Sequence, residues 1–244
     1  MELAITLFVF IFGIMIGSFL NVVIYRIPKG ESIAFPASKC QSCGTPLKWY
    51  HNIPLLSWIA LGGKCAFCRA KISAQYPVVE LMTGVIFLAL YFKLGLVWYL
   101  PFVAASFAAL FALVVIDFEY MAVPDNVNFA ALAFALVQPD FLNAALYAAV
   151  AAGGLYLIGL LSSLLAKRQA MGGADVIVAG TMGALLGFPG FFVAIFLSAV
   201  LAIVPALIWR ERGVPFVPFL ALATLITYLF DTQAADLLEL IIHG

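Results

Sequence analysis

Charge is what this sequence has least of. Asp, Glu, Lys and Arg together make up 10% of its 244 residues, against about 25% in an ordinary soluble domain. Histidine occurs twice, and acidic and basic residues cancel to a formal net charge of +0. A chain so poor in charge carries no basic footprint for nucleic acid. It cannot be a disordered acidic or basic tail, a collagen or a coiled coil. No internal repeat is visible, and no glycine-rich strand–turn–helix of the nucleotide-binding kind occurs. Four cysteines are too few, in a chain of this length, for a secreted disulfide scaffold.

Apolar residues fill the space left by charge. They account for 66% of the sequence, and the mean hydropathy is +1.15. No single soluble core could bury so much, which implies an all-α polytopic membrane protein. Eight apolar segments predict about eight transmembrane helices: Leu3–Ile24, Tyr76–Phe92, Val97–Ile116, Val127–Val137, Leu142–Leu165, Val176–Phe188, Phe191–Trp209 and Phe216–Phe230. The first lacks a basic n-region and a small-residue cleavage site, so it reads as a retained helix.

The twelve basic residues are segregated. Seven lie between the first two segments, Lys167 and Arg168 between the fifth and sixth, and Arg210 and Arg212 between the seventh and eighth; only Lys93 lies on the other side. The excess of Lys and Arg on cytoplasmic loops then predicts that both termini are outside and the long polar insert is cytoplasmic. The expected organisation is a first membrane helix (1–25), a small cytoplasmic insert (26–75) and a seven-helix membrane part (76–244).

All four cysteines fall in that insert, as Cys40-Gln-Ser-Cys43 and Cys65-Ala-Phe-Cys68. Two CxxC knuckles about twenty residues apart match a four-cysteine zinc pattern. Each knuckle offers two thiolates from one turn, and two turns complete a tetrahedron. Disulfides and a redox CxxC pair are the alternatives. The cytoplasmic placement and the lack of a βαβ frame argue against them. A closed four-thiolate site is structural rather than catalytic, and His51 is left over as a non-ligand.

Carboxylates at membrane depth are costly, on the order of 3 kcal/mol at mid-helix. Asp117 ends the third segment and Asp175 opens the sixth, in Gly172-Gly173-Ala174-Asp175. Both belong to the cytoplasmic end of their segments. Two carboxylates brought together cannot both ionise, so they share a proton. One can then act as base on a water while the other polarises a peptide carbonyl, which is aspartic-protease chemistry. The plainer alternative is helix capping or a first-turn charge on the helix dipole. That describes Asp125 after Pro124 and is open for Asp175. It suits Asp117 poorly, because a negative charge is unfavourable at a helix C-terminus. Gly172 and Gly173 would let a substrate backbone come close. Gly13-x-x-x-Gly17 and Gly183-x-x-x-Gly187 read as helix-packing stripes. An ion-coupled transporter using Asp117, Asp125 and Asp175, or a non-catalytic assembly factor docking through its zinc module, are the competing function classes.

Taken in order along the chain, these pieces resemble the bacterial type IV prepilin peptidases, membrane aspartic proteases with a GxGD motif. The resemblance runs through Gly17-Ser-Phe-Leu-Asn-Val-Val-Ile-Tyr-Arg26, both knuckles, His51-Asn-Ile-Pro-Leu-Leu-Ser-Trp58, Ile72-Ser-Ala-Gln-Tyr-Pro-Val-Val-Glu80, Asp117 with Val123-Pro124-Asp125, Met171-Gly-Gly-Ala-Asp175 and Pro215-Phe-Val-Pro-Phe-Leu-Ala221. It implies catalytic aspartates at Asp117 and Asp175, supported by Gly172, Gly173, Pro124 and Asp125. It also implies zinc on Cys40, Cys43, Cys65 and Cys68. The implied activity removes the basic leader of type IV prepilins or of type II secretion pseudopilins at the cytoplasmic face of the bacterial inner membrane. Many members then methylate the new N-terminus with S-adenosylmethionine. The implied partners are the prepilin substrate and membrane lipid, with no nucleic acid. Three positions depart from the pattern: Ala174 stands where the motif has Gly, Ile177 where many members have Lys, and Val217 where Gly is expected.

Overall fold

A computed structural model describes residues 2–166, 172–208 and 215–231. Among them the chain is all-helical. The main helices are α1 (Glu2–Arg26), the short α2 (Leu56–Ala60), α3 (Gln75–Leu94), α4 (Leu100–Tyr120), α5 (Asp125–Leu136), α6 (Phe141–Ala166), α7 (Gly173–Ile208) and α8 (Val217–Leu229). Among the described residues the strand-like pairings are two isolated bridges, Lys39 with Pro46 and Lys64 with Lys71.

Five of these helices, α1, α3, α4, α6 and α7, are long and apolar enough to cross a membrane. Large side chains stand exposed along them: Phe8 and Met15 on α1, Leu157 and Leu161 on α6, Phe196 and Val204 on α7. Their natural solvent is lipid, so the protein is a multi-pass membrane protein. The expected segments reappear with shifted ends. The fourth and eighth form helices of 12 and 13 residues, or about 18–20 Å, short of a 30 Å hydrocarbon core. The sixth and seventh share the 36-residue α7, whose helical geometry fails at Gly187 (φ 60°, ψ −167°) and Phe188 (φ −106°, ψ 137°). Pro189 follows and has no amide hydrogen for the Leu185 carbonyl. Just before the break, the Gln138 side-chain amide donates to the carbonyls of Ala184 (2.8 Å) and Ala135 (2.6 Å).

The chain forms two compact units, Met1–Leu96 and Val97–Gly244. In the first, α1 and α3 run antiparallel in close contact. A Cβ on Gly13 would lie 2.8 Å from the Gly84 Cα, and one on Gly17 would lie 2.6 Å from the Glu80 Cα. Small residues thus let the backbones approach, as a GxxxG stripe requires. Asn21 donates to the Tyr76 carbonyl (3.1 Å) where α3 begins. The buried Arg26 ends α1 and donates to the carbonyls of Ser32 (2.8 Å) and Pro36 (2.7 Å), fixing the start of the insert.

In the second unit α4 runs antiparallel to α5, with the Ser106 hydroxyl donating to the Ala131 carbonyl at 2.8 Å. It also runs antiparallel to α8, with the Phe107 and Tyr228 rings 5.3 Å apart. Gly183 of α7 packs on α6 so closely that a Cβ there would lie 2.5 Å from the Tyr147 carbonyl oxygen. Of the glycine pair expected to pack helices, Gly183 does so, while Gly187 forms the break in α7.

Candidate functional site

Asp117 lies in the last turn of α4. That helix ends where Met121 turns left-handed (φ 51°, ψ 41°) and returns its amide to the Asp117 carbonyl at 3.0 Å. The Asp117 side chain is buried. Its carboxylate accepts a hydrogen bond from the Val217 backbone amide at the start of α8, and the charge of Asp175 acts on it. This places the N-terminal ends of α7 and α8 beside the C-terminal end of α4. The two helix starts present their positive dipole ends to carboxylates, which offsets the unfavourable position of Asp117 at the foot of its own helix.

Asp175 is half-buried in the first turn of α7. Its carboxylate accepts from the Gly172 backbone amide, the reciprocal half of a capping box. The capping role open in the sequence is therefore filled, together with proximity to Asp117. Among the described residues, a Cβ on Gly172 would stand 3.6 Å from Asp175 Oδ2, and one on Gly173 would meet nothing within 4 Å.

Residues not anticipated from the sequence hold this arrangement. Asn128, fully buried on α5, donates from Nδ2 to the Ala174 carbonyl at 2.9 Å. Its Oδ1 has no partner among the described residues. The legible cue was an amide in an otherwise apolar helix. Val217 takes part through its backbone, which no residue-type pattern reveals. Asp125 and Glu119 are exposed, and Asp125 sits in the first turn of α5 behind Pro124. Neither takes part in the Asp117–Asp175 pair. Val176 and Ile177, the two residues after Asp175, line a groove of about 220 Å³ together with Leu132, Leu136, Ala148 and Ala152. Ile177 thus faces an apolar surface, where the cost of a charge would be high. Met171, and the basic residues Lys167, Arg168, Arg210 and Arg212, lie outside the described residues.

The second centre is the cysteine cluster. The Cys40 amide donates to Thr45 (3.0 Å) and the Gly44 amide to Cys40 (2.9 Å); in the same way the Cys65 amide donates to Ala70 (2.8 Å) and the Arg69 amide to Cys65 (3.1 Å). Gly44 (φ 71°) and Arg69 (φ 62°) take the same left-handed turn after the second cysteine of each knuckle. The four sulfurs lie within 4.8 Å of one another, and Cys40 Sγ is 3.9 Å from Cys68 Sγ. Four thiolates on a tetrahedral zinc at about 2.3 Å would sit about 3.8 Å apart, so the set fits that ion. None is in a disulfide. The Thr45 hydroxyl and amide bring Cys43 down to about 6. The Cys68 and Phe67 amides lower Cys65. The Ala70 amide also draws Cys68 down, but burial and the neighbouring thiols push it up, to about 11. Four sulfurs this close resist ionising together unless a cation joins them. His51 stays out of the cluster, packed edge-on to Phe67 at 5.4 Å between ring centroids.

A multi-pass helical chain with two carboxylates converging at one helix end, and with a separate four-thiol metal module, defines a class: membrane proteins built like intramembrane aspartic hydrolases. Residues 11–94 match the bacterial peptidase A24 N-terminal domain, and residues 103–207 match the type IV leader peptidase family. The chain is 38% identical to a prepilin leader peptidase/N-methyltransferase of Myxococcus xanthus, over 73% of this chain and 55% of that one. Proteins of the same name in Neisseria gonorrhoeae (33% identical, 82% of this chain, 80% of the relative) and Dichelobacter nodosus (31%, 94% and 93%) match over most of both lengths. The chain belongs to the type IV leader peptidase family. No solved structure matches it.

Proposed function

We propose that this chain is an aspartic endopeptidase of the bacterial inner membrane that removes the basic leader of type IV prepilins or pseudopilins. Asp117 and Asp175 are its catalytic residues in this reading. The supporting observation is their juxtaposition: a buried carboxylate within the field of a second one, each steadied by one backbone amide. One ionised carboxylate takes a proton from water as the water attacks the scissile carbonyl. The other, protonated, donates to the carbonyl oxygen and stabilises the negative charge that develops there. Gly172 and Gly173, which carry no side chains, give an extended substrate strand room to approach. The apolar groove along α5, α6 and α7 receives adjoining apolar residues of the substrate.

In the same reading both termini are outside and the insert is cytoplasmic, so the site meets the leader on the side where it is made. The insert, residues 26–75, is the metal module, and residues 76–244 are the catalytic part. Zinc, held by Cys40, Cys43, Cys65 and Cys68, stabilises the insert and takes no part in hydrolysis. Methylation of the new N-terminus with S-adenosylmethionine is carried over from the name of the relatives. Purified full-length protein incubated with a prepilin and methyl-labelled S-adenosylmethionine tests both activities by mass spectrometry. Cleavage at the leader junction that Asp175→Asn abolishes is the expected result. Cleavage that survives the substitution would overturn the assignment. A cleaved but unlabelled product would remove the methyl-transfer part alone.

A further inference from the structure

We infer that Trp49–Leu61 is an interfacial membrane anchor, docking the insert on anionic phospholipid. The inference is independent of the peptidase reading and begins with a depth. Glu80 is buried in the second turn of α3, a 20-residue apolar helix whose length of about 30 Å just matches a hydrocarbon core. Five residues from its start, Glu80 lies about 7 Å along the axis. Its Oε2 accepts the Leu55 amide at 2.7 Å, and the Ser18 hydroxyl also bonds to it. Leu55 has positive φ (59°, ψ −52°), and the Leu56 amide folds back to the Pro54 carbonyl at 2.6 Å. That is a γ-turn of the uncommon, strained kind. A membrane-helix carboxylate therefore pins the start of α2 about 7 Å from the level where headgroups meet acyl chains, within the depth that an interfacial helix reaches.

The outward residues at that depth are apolar. Leu56 and Ile59, three apart on α2, are 66% and 67% exposed, and Trp49, on the neighbouring turn, is 79% exposed. Trp58 points the other way, its ring stacked under Gly63 and its Nε1 donating to Ile72. In water such a face would be unfavourable; at an interface it is the face that inserts, with tryptophan at headgroup level. The charges match the same partner. Between residues 27 and 75 stand six Lys and Arg and one acidic residue, Glu31. Such an excess attracts anionic lipid and repels a basic leader peptide, the rival occupant.

The test uses the full chain in nanodiscs, with Trp49→Phe removing one fluorophore and Ile59→Trp adding one. Neither substitution touches a cysteine or the Glu80 bond. A helix in the interface buries its apolar face roughly 5–10 Å, so bromines on the upper acyl chain should quench each difference emission about twofold or more. Quenching should weaken when phosphatidylglycerol is replaced by phosphatidylcholine. Emission quenched by aqueous acrylamide but not by bromolipid would overturn the anchor, as would shielding that appears only with an added leader peptide. Equal quenching in both lipids would overturn the role of charge.

Discussion

Asn128 of α5 reaches across to hold the carbonyl of Ala174, the residue before Asp175, at 2.9 Å. The bond fixes the first turn of α7 from a fully buried position. Replacing Asn128 with Leu removes this second bond to a carbonyl that also serves the helix, at a cost of about 0.5–1.5 kcal/mol. Thermal unfolding in detergent should show the loss. The leader-cleavage rate should fall with it, because Asp175 is then free to drift from Asp117.

Asp117→Asn and Asp175→Asn should each abolish cleavage while leaving expression and melting near normal. Residues that act as a unit are not additive, so the double variant should lose little more than either single one. Glu119→Gln and Asp125→Asn are the controls, since both carboxylates are exposed. An Asp125→Asn effect as large as that of Asp117→Asn would move the first catalytic residue. The rate should follow a bell-shaped pH profile, the behaviour of a dyad with two macroscopic pKa values.

Metal removal should act on the insert before the membrane helices. Metal analysis should find one zinc per chain, and Cys68→Ser should lower that content. Binding energy of a closed thiolate site is folding energy, so chelation should open residues 38–72 to protease while the helical circular dichroism largely persists. An insert equally resistant with and without chelator would remove the structural role of the metal.

Gly180 and Gly183, three residues apart on α7, make a packing test within one helix. Gly183→Ala places a Cβ 2.5 Å from the Tyr147 carbonyl oxygen, whereas Gly180→Ala makes its nearest contact at 3.5 Å. The first should destabilise by about 1–3 kcal/mol through overpacking. The second should be neutral or stabilising by up to about 1 kcal/mol through helix propensity. Melting of the two variants side by side decides it.

Sidedness is checked by labelling. A cysteine introduced at residue 140 should react with an impermeant reagent added from outside, and one at residue 167 should not. The opposite pattern would invert the topology.

The helical fold was legible because hydropathy marks each segment directly, and the knuckles because CxxC spacing is itself geometry. Asp117 and Asp175 stood out as charges at the ends of apolar runs. What brings them together was hidden for a physical reason. The Val217 amide contributes through backbone, and the Ala174 carbonyl is held by a side chain 46 positions away. Such partners are fixed by packing, and a single sequence carries no sign of it. The short α5 and the break of α7 at Gly187 and Phe188 fall where the fourth segment and the boundary between the sixth and seventh were expected; the exact helix ends escaped, because hydropathy reports how apolar a segment is and not where its backbone turns.

The break in α7 decides whether the site can be assembled at all. Drawn straight, that helix would carry Ile208 about 50 Å from Asp175, at about 1.5 Å per residue. The nine residues from Ile208 to Val217 span about 32 Å at full stretch, too short a tether to bring the Val217 amide back to Asp117. The second arm of α7 has to retrace the first. A Cβ on Gly190, just past the break, would sit 3.9 Å from Thr227 at the far end of α8, where a returning arm would begin. One glycine in a left-handed conformation is thus a matter of chain reach: it shortens the path by which the last helix delivers its amide to a carboxylate exactly 100 positions earlier in the sequence.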